Sequence, residues 1–508
     1  GSNSVAVAPA RSASGGAWIA SDTHLPALLP NPWLIAGCKA PSYHMVGLMI
    51  PGVPAMGLGR NPWIAWGGTN LHAASSDLFD VSALPAGSIT TRRERLRVRW
   101  SGTRTIAIRE TALGPVVSDD GLLPRRAGRH LALRWIGHAA SDEMTALLGV
   151  NRARNWGEFR AALSSFAVPA QNMIYADHAG HIGRMMAARL PHRPPAPPPA
   201  PVRPAEDASL WEQIATGAEL PAILDPAEGF VASANDEPRG APILVGYFFS
   251  SAARVNRLRQ VLTSAERIDF DALAALQRDV MMPSALTVRD RLLRLLRPER
   301  TSEALLGALK DWDGGYRADS AGALAFEVLL FRTALALGAG RRVKLYSRVW
   351  GTRDLLFRDL AGISDDALAA ALARAAPIAA RRLRAFGVWG RIHRISPRHF
   401  LASVPLLGRT ARFGDDPASG GAETVLKTAN PLTDRRHRTG LVATARHISD
   451  LADPDGNHFV LLGGQDGWLG STTLLDQVPL WLRGAYHRVP LRLETVRAEF
   501  PFRTELRP

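Results

Sequence analysis

Strand-like alternation at both ends of the chain, around a long helical middle, limits the architecture more than any other feature. Residues 3–8 (NSVAVA) and 16–20 (GAWIA) are short apolar runs around a Ser/Gly turn, the pattern of a β-hairpin. Residues 25–70 are rich in Pro, Gly and Trp and read as loops between short strands, ending in WIAWGGTN. Alternation continues through 88–136 (TIAIRE, LALRWI), and QNMIYAD–HAG–HIGRMMAARL reads as a second hairpin around a polar, Gly-bearing turn. SDEMTALLGVNRA and NWGEFRAALSSF have helical spacing. Ala/Leu/Arg helices dominate from 251 to 390, at 255–263, 270–278, 284–297 and 320–337, and strand signals return after 400. With no internal repeat, this order predicts one layered α+β architecture rather than independent modules. Its expected parts are 1–250, a mainly helical 251–400, and 401–508 returning to the first part. Residues 189–204 (RLPHRPPAPPPAPVRP) are proline-rich and predict an extended connection.

Composition excludes several classes. With 46% hydrophobic and 21% charged residues, 508 residues can bury a large core and cannot be globally disordered. Lys+Arg total 61 and Asp+Glu 46, a net +15 carried almost wholly by arginine, since lysine occurs only at Lys39, Lys310, Lys344 and Lys427. The arginines are scattered, with no aromatic-rich RNA-binding signature and no zinc-finger spacing. Nucleic acid is therefore not an expected partner, although a basic surface favours anionic ones. Cys38 stands alone, so no intrachain disulfide and no cysteine-based metal site is expected. No window reaches the roughly 18 uninterrupted apolar residues of a membrane span, and no signal peptide stands at residue 1.

Generic motifs are weak. LGAGRR (337–342) reads as the glycine end of an apolar helix, not a phosphate loop. His178 and His181 sit in or beside a hairpin turn. DPDGN (453–457) lacks the glutamate of a calcium loop and reads as a β-turn. Neither G-x-S-x-G nor H-E-x-x-H occurs.

The first residues carry more information. Ser2 follows a single glycine and opens an apolar strand. If the Gly1–Ser2 bond is cut, Ser2 carries a hydroxyl and a free α-amine together. That amine has a reference pKa of about 7.7–8.0, low enough to act as a base near neutral pH. Nucleophile and base then come from one residue. Gly-Ser is also a common vector remnant, and on these residues alone the two readings stand level.

Downstream segments favour the nucleophile. In chain order they are GSNSVAVAP, SDTHL, NPWIAWGGTN, VPAQNMIYADHAGHIG, GFVASANDEP, SAARVNRL and GGQDGWLGSTTLLDQVPLWLRGAY. Together these resemble the β subunit of the penicillin acylase family of N-terminal nucleophile (Ntn) hydrolases, across most of the chain. Each piece is short, and their shared order over more than 450 residues carries the resemblance.

The resemblance implies a four-layer αββα sandwich with a large helical insertion, 1–250 holding the nucleophile and oxyanion residues. It implies an amidase in which Ser2 attacks an amide carbonyl and passes through an acyl-serine. Asn70 (backbone N–H) and Asn235 (side chain) then form the oxyanion hole, while His24 and Arg254 orient the Ser2 amine and Asn235. Leu25, Leu58 and Gly68 match acyl-pocket positions. Their aliphatic character predicts a preference for aliphatic acyl groups, as in acyl-homoserine lactones, over phenylacetyl groups, with a penicillin/cephalosporin-type β-lactam acylase as the alternative; the same residues also fit a plain core. No cofactor is required. Some relatives bind a structural calcium just after the oxyanion loop, and here the small residues ahead of Asp77 and Asp80 count against it. The family also implies self-cleavage at Gly1–Ser2, an α subunit from the same precursor, and a periplasmic or secreted location. The non-enzymatic alternative is an inactive binding relative.

Overall fold

The computed structural model describes residues 1–506 except 86, 120–122, 124–127, 199, 339 and 347–351. Parts of the strand-rich stretch 88–136, Pro199 of the proline run and Ala339 of LGAGRR thus lie outside the described residues.

Two antiparallel sheets form the centre. One has six strands in the order Phe230–Ser233, Ser2–Val7, Trp18–Leu25, Val442–Asp450, Asn457–Leu461 and His487–Arg488. The first and last parts of the sequence therefore meet in one sheet. The other has seven strands, ordered Ala222–Leu224, Ile182–Ala187, Gln171–Asp177, Ile64–Asn70, Met56–Arg60, Tyr43–Met49 and Leu34–Ala40.

Period-2 alternation assigns every strand residue to a layer. Ala6, Ile19 and Val231 of the first sheet meet Ala65, Ile174, Ala176 and Ile182 of the second between the sheets. Val5, Val7, Trp18 and Ala20 face outward onto Val255, Leu258, Leu262 and Leu273, from helices Ala253–Ser264 and Phe270–Leu276. On the far side, Ile64, Trp66 and Tyr175 pack on Val150, Phe159 and Leu163 of helices Glu143–Arg152 and Trp156–Leu163. This makes the α, β, β, α layering. Fully burying side chains of this size is worth about 1.5–3 kcal/mol each, so the alternation fixes the register strongly.

Helices Pro283–Leu295, Glu303–Lys310, Ala321–Ala336 and Asp365–Phe386 build a separate apolar cluster, the helical insertion. Ala321–Ala336 is buried on nearly every side, as its mostly apolar sequence, broken by Glu327, Arg332 and Thr333, requires. Ser320 Oγ caps it by accepting from the Ala323 N–H, and Gly338 follows at φ +78°, the glycine ending read from LGAGRR.

Candidate active site

Ser2 is the first residue of its strand and only 8% exposed. Alternation turns Ser2, Ser4 and Ala6 toward the second sheet, and Asn3, Val5 and Val7 toward the helices. Ser4 Oγ and Ser21 Oγ lie 2.7 Å apart on the inner side. A Cβ on Gly67 of the second sheet would sit 2.0 Å from Ser21 Oγ and 2.8 Å from Ser4 Oγ, so the glycine is what lets the sheets close here.

The strand Phe230–Ser233 pairs with the nucleophile strand in the register Ser4↔Ser233, so the turn that follows lands beside Ser2. In that turn Asn235 takes φ +64°, a left-handed conformation that asparagine tolerates better than most residues. Its Oδ1 accepts the Ser2 backbone N–H at 2.7 Å, and its Nδ2 donates to the Asn70 carbonyl at 2.8 Å. A carboxamide has two N–H hydrogens, so this second bond leaves one for another acceptor. Asn70 ends the strand Ile64–Asn70, and its own Oδ1 accepts the His72 N–H at 2.8 Å, turning the chain.

Arg254, fully buried near the start of its helix, ties these parts together. Nη1 donates to the Ser2 carbonyl (2.8 Å) and to Asn3 Oδ1 (2.6 Å). Nη2 donates to the Ala234 carbonyl (2.5 Å) and Asn235 Oδ1 (3.1 Å). Burial lowers its pKa while Glu423 and Asp22 oppose that shift. Ser2, Asn70, Asn235 and Arg254 are thus brought into one network from four separate parts of the sequence.

His24 is placed differently. Its imidazole is buried and turns to Asp22, with Nε2 2.5 Å from Oδ2, and Asn3 Nδ2 lies 3.4 Å from that nitrogen. Its link to the first residues runs through the main chain, where the His24 N–H donates to the Gly1 carbonyl at 2.6 Å. The Ser2 hydroxyl donates to that same carbonyl, also at 2.6 Å. Burial pushes Asp22 up to about 7 and holds His24 well below its ordinary range. The pair therefore holds a proton on its short contact at mildly acidic pH.

Sequence reasoning missed the buried charges around this network: Asp22, Glu423 and Lys427. Glu423 accepts from Ser251 Oγ at 2.9 Å. Lys427 is 5% exposed, and burial lowers it to about 8. A lone lysine inside the apolar run VLKTAN, in a chain with only four lysines, was the available signal.

The three acyl-pocket candidates are dispersed. Leu25 is half-buried at the end of its strand, opposite Val442. Leu58 packs between the sheets with Val46, Leu48, Ala445 and Phe459. Gly68 lies against Met173, whose Sδ would be 3.1 Å from an added Cβ.

At the calcium candidate, Asp77 is buried and its carboxylate is taken up by protein donors. Arg193 reaches Oδ2 through two nitrogens (3.0 and 2.8 Å), Trp211 Nε1 reaches Oδ2 (2.8 Å) and Arg203 Nε reaches Oδ1 (3.2 Å). Asp80 pairs with Arg129 at 2.9 Å. Among the described residues no group of three or more His, Cys, Asp or Glu could hold a metal ion. The proline-rich connection is therefore no free linker, because it joins the two arginines that clamp Asp77.

Known proteins resemble this chain in sequence and in fold. A family model described as penicillin amidase matches residues 1–498. Penicillin acylase 2 proenzyme of Pseudomonas sp. (strain SE83) is 27% identical over 525 residues, covering 95% of this chain and 66% of that protein. Acyl-homoserine lactone acylase QuiP of Pseudomonas aeruginosa is 24% identical over 567 residues, covering 97% and 67%. The chain thus spans about two thirds of the length of these relatives. A solved thermostable penicillin G acylase from Alcaligenes faecalis superposes with a TM-score of 0.73 at 18% identity, covering 100% of this chain and 99% of that one, which shows the same fold. By sequence and by fold, the chain belongs to the penicillin amidase family.

Proposed function

We propose that this chain is the catalytic part of an acylase that hydrolyses the amide bond of an N-acylated amine through Ser2. The observation that carries the reading is the Asn235 side chain, which holds the Ser2 nitrogen with one atom and keeps an N–H beside it with the other. With the Gly1–Ser2 bond cut, that nitrogen becomes an amine next to the Arg254 cation. A like charge disfavours the protonated form, so the amine is a free base near neutral pH. It takes the Ser2 hydroxyl proton as Oγ attacks the substrate carbonyl. The second Asn235 N–H and the Asn70 N–H stabilise the oxyanion, the Ser2 ammonium passes its proton to the substrate nitrogen as the C–N bond breaks, the product amine departs, and water hydrolyses the acyl-Ser2 ester. Loss of one such donor costs about 2.7–4 kcal/mol of transition-state stabilisation.

Maturation by self-cleavage at Gly1–Ser2 fits the same geometry. The Gly1 carbonyl is held by the His24 N–H and lies against the Ser2 hydroxyl, the group that would attack it. The first relative above is named a proenzyme, and we extend that to this chain, with an α subunit from the same precursor and an exported protein. Among the described residues no helix is long and apolar enough to cross a membrane.

For substrate, we retain aliphatic acyl amides of the acyl-homoserine-lactone kind, on the aliphatic Leu25 at the end of the strand paired with that of Ser2. Hydrolysis of an acyl-homoserine lactone series, compared with penicillin G, tests this. A clear preference for penicillin G would assign the β-lactam acylase reading instead.

A further inference from the structure

Arg446 stands opposite Asp22 across paired strands, on the helix-covered side of the sheet and so on the face opposite Ser2. It lines a cavity of about 260 Å³ together with Arg278 and Arg317. The lining holds these three guanidiniums and no carboxylate, while Val280, Ile395 and Trp481 give it an apolar wall.

Arg446 is the unusual member. It is 1% exposed, its guanidinium lies 4.3 Å over the Trp481 ring, and Nη1 donates to the Trp481 carbonyl at 3.1 Å. Its Nε is buried with no hydrogen-bond partner. Arg278, at the exposed mouth, donates to the Ala274 and Arg483 carbonyls; burial and the Arg278 charge lower Arg446, while Tyr486 and Asp22 oppose that shift. Arg317 pairs with Asp313 at the surface. With its Nε unpartnered, the buried Arg446 faces a cavity whose lining carries further positive charge and no carboxylate, which offers donors to an entering anion.

We propose that this cavity binds a small organic carboxylate, its anionic head taken by Arg446 and Arg278 and its hydrocarbon laid on Trp481 and the aliphatic wall. A guanidinium offers paired N–H donors that match a carboxylate, and the apolar wall selects against a bare inorganic ion. The site is separate from Ser2 and does not depend on the acylase reading.

Calorimetric titration of the full chain with hexanoate, hexanamide and inorganic phosphate tests it, in the wild type and in Arg278→Ala/Arg317→Ala. Both substituted residues are exposed, so the variant keeps the fold, checked by its thermal unfolding. Hexanoate should saturate the wild type, hexanamide should not, and the double variant should bind hexanoate about tenfold more weakly or less. Hexanoate binding unchanged in the variant would place the acid at another site, such as the acyl pocket, and overturn the proposal. So would an absence of hexanoate binding, and phosphate binding as tightly as hexanoate would overturn the organic part. A hydrolytic assay plays no part in the readout, so failure here leaves the acylase reading untouched.

Discussion

Asn235 and Ser2 are 233 positions apart in sequence, and the Asn235 side chain accepts the Ser2 N–H at 2.7 Å. Strand pairing brings them together, and a left-handed turn conformation aims the carboxamide back. The contact gives the nucleophile nitrogen a fixed direction, and the same carboxamide, after its bond to the Asn70 carbonyl, has one N–H left for another acceptor.

Asn235→Ala should therefore lower kcat by roughly 10²–10³-fold with a small change in KM, because an oxyanion donor acts mainly in the transition state. Steady-state kinetics on the best amide substrate checks this. A rise in KM at unchanged kcat would mean that Asn235 only binds substrate.

Arg254→Lys should lose most activity even though the charge is kept. One ammonium cannot reach the Ser2, Asn3, Ala234 and Asn235 oxygens that the guanidinium fork spans. Near-wild-type kcat/KM in the lysine variant would show that charge alone matters.

Asp22 has a folded pKa of about 7, raised by burial, against about 3.9 when unfolded. Between those values the folded state binds the extra proton, so the stability contributed by this group is full below about pH 4 and is lost as pH rises to about 7. Urea unfolding across pH 4–8 should show Asp22→Asn, which cannot ionise, losing less stability over that window than the wild type. Parallel curves for the two proteins would refute the shift.

The Asp77 cluster predicts insensitivity to chelators. With its carboxylate held by Arg193, Arg203 and Trp211, EDTA should leave Tm unchanged and added calcium should not raise it. Arg193→Met should destabilise by about 3–5 kcal/mol, since it leaves a buried carboxylate poorly compensated. Differential scanning calorimetry reads both.

The layers were legible because alternation is a local signal: NSVAVA, GAWIA and QNMIYAD mark their strands directly, and the helices at 253–264 and 321–336 follow their apolar spacing. The pairing of residues near 20 with residues near 448 in one sheet left no local trace, and it decides where His24 and Asp22 go. Ser2, Asn70, Asn235 and Arg254 could be named because their segments keep a recognisable order. Glu423 and Lys427 could not, since a buried charge looks like a surface charge until its neighbours are known. RLPHRPPAPPPAPVRP shows the same limit: proline content predicts only an extended connection, and it took the fold to reveal that Arg193 and Arg203 share one carboxylate.

Intact mass and N-terminal sequencing of the purified, active protein, alongside a Ser2→Ala variant, bear most directly on the catalytic account. The account predicts that every active molecule begins at Ser2 and that the variant neither loses Gly1 nor hydrolyses amides. Full activity with Gly1 still joined to Ser2, or in the Ser2→Ala protein, would contradict it.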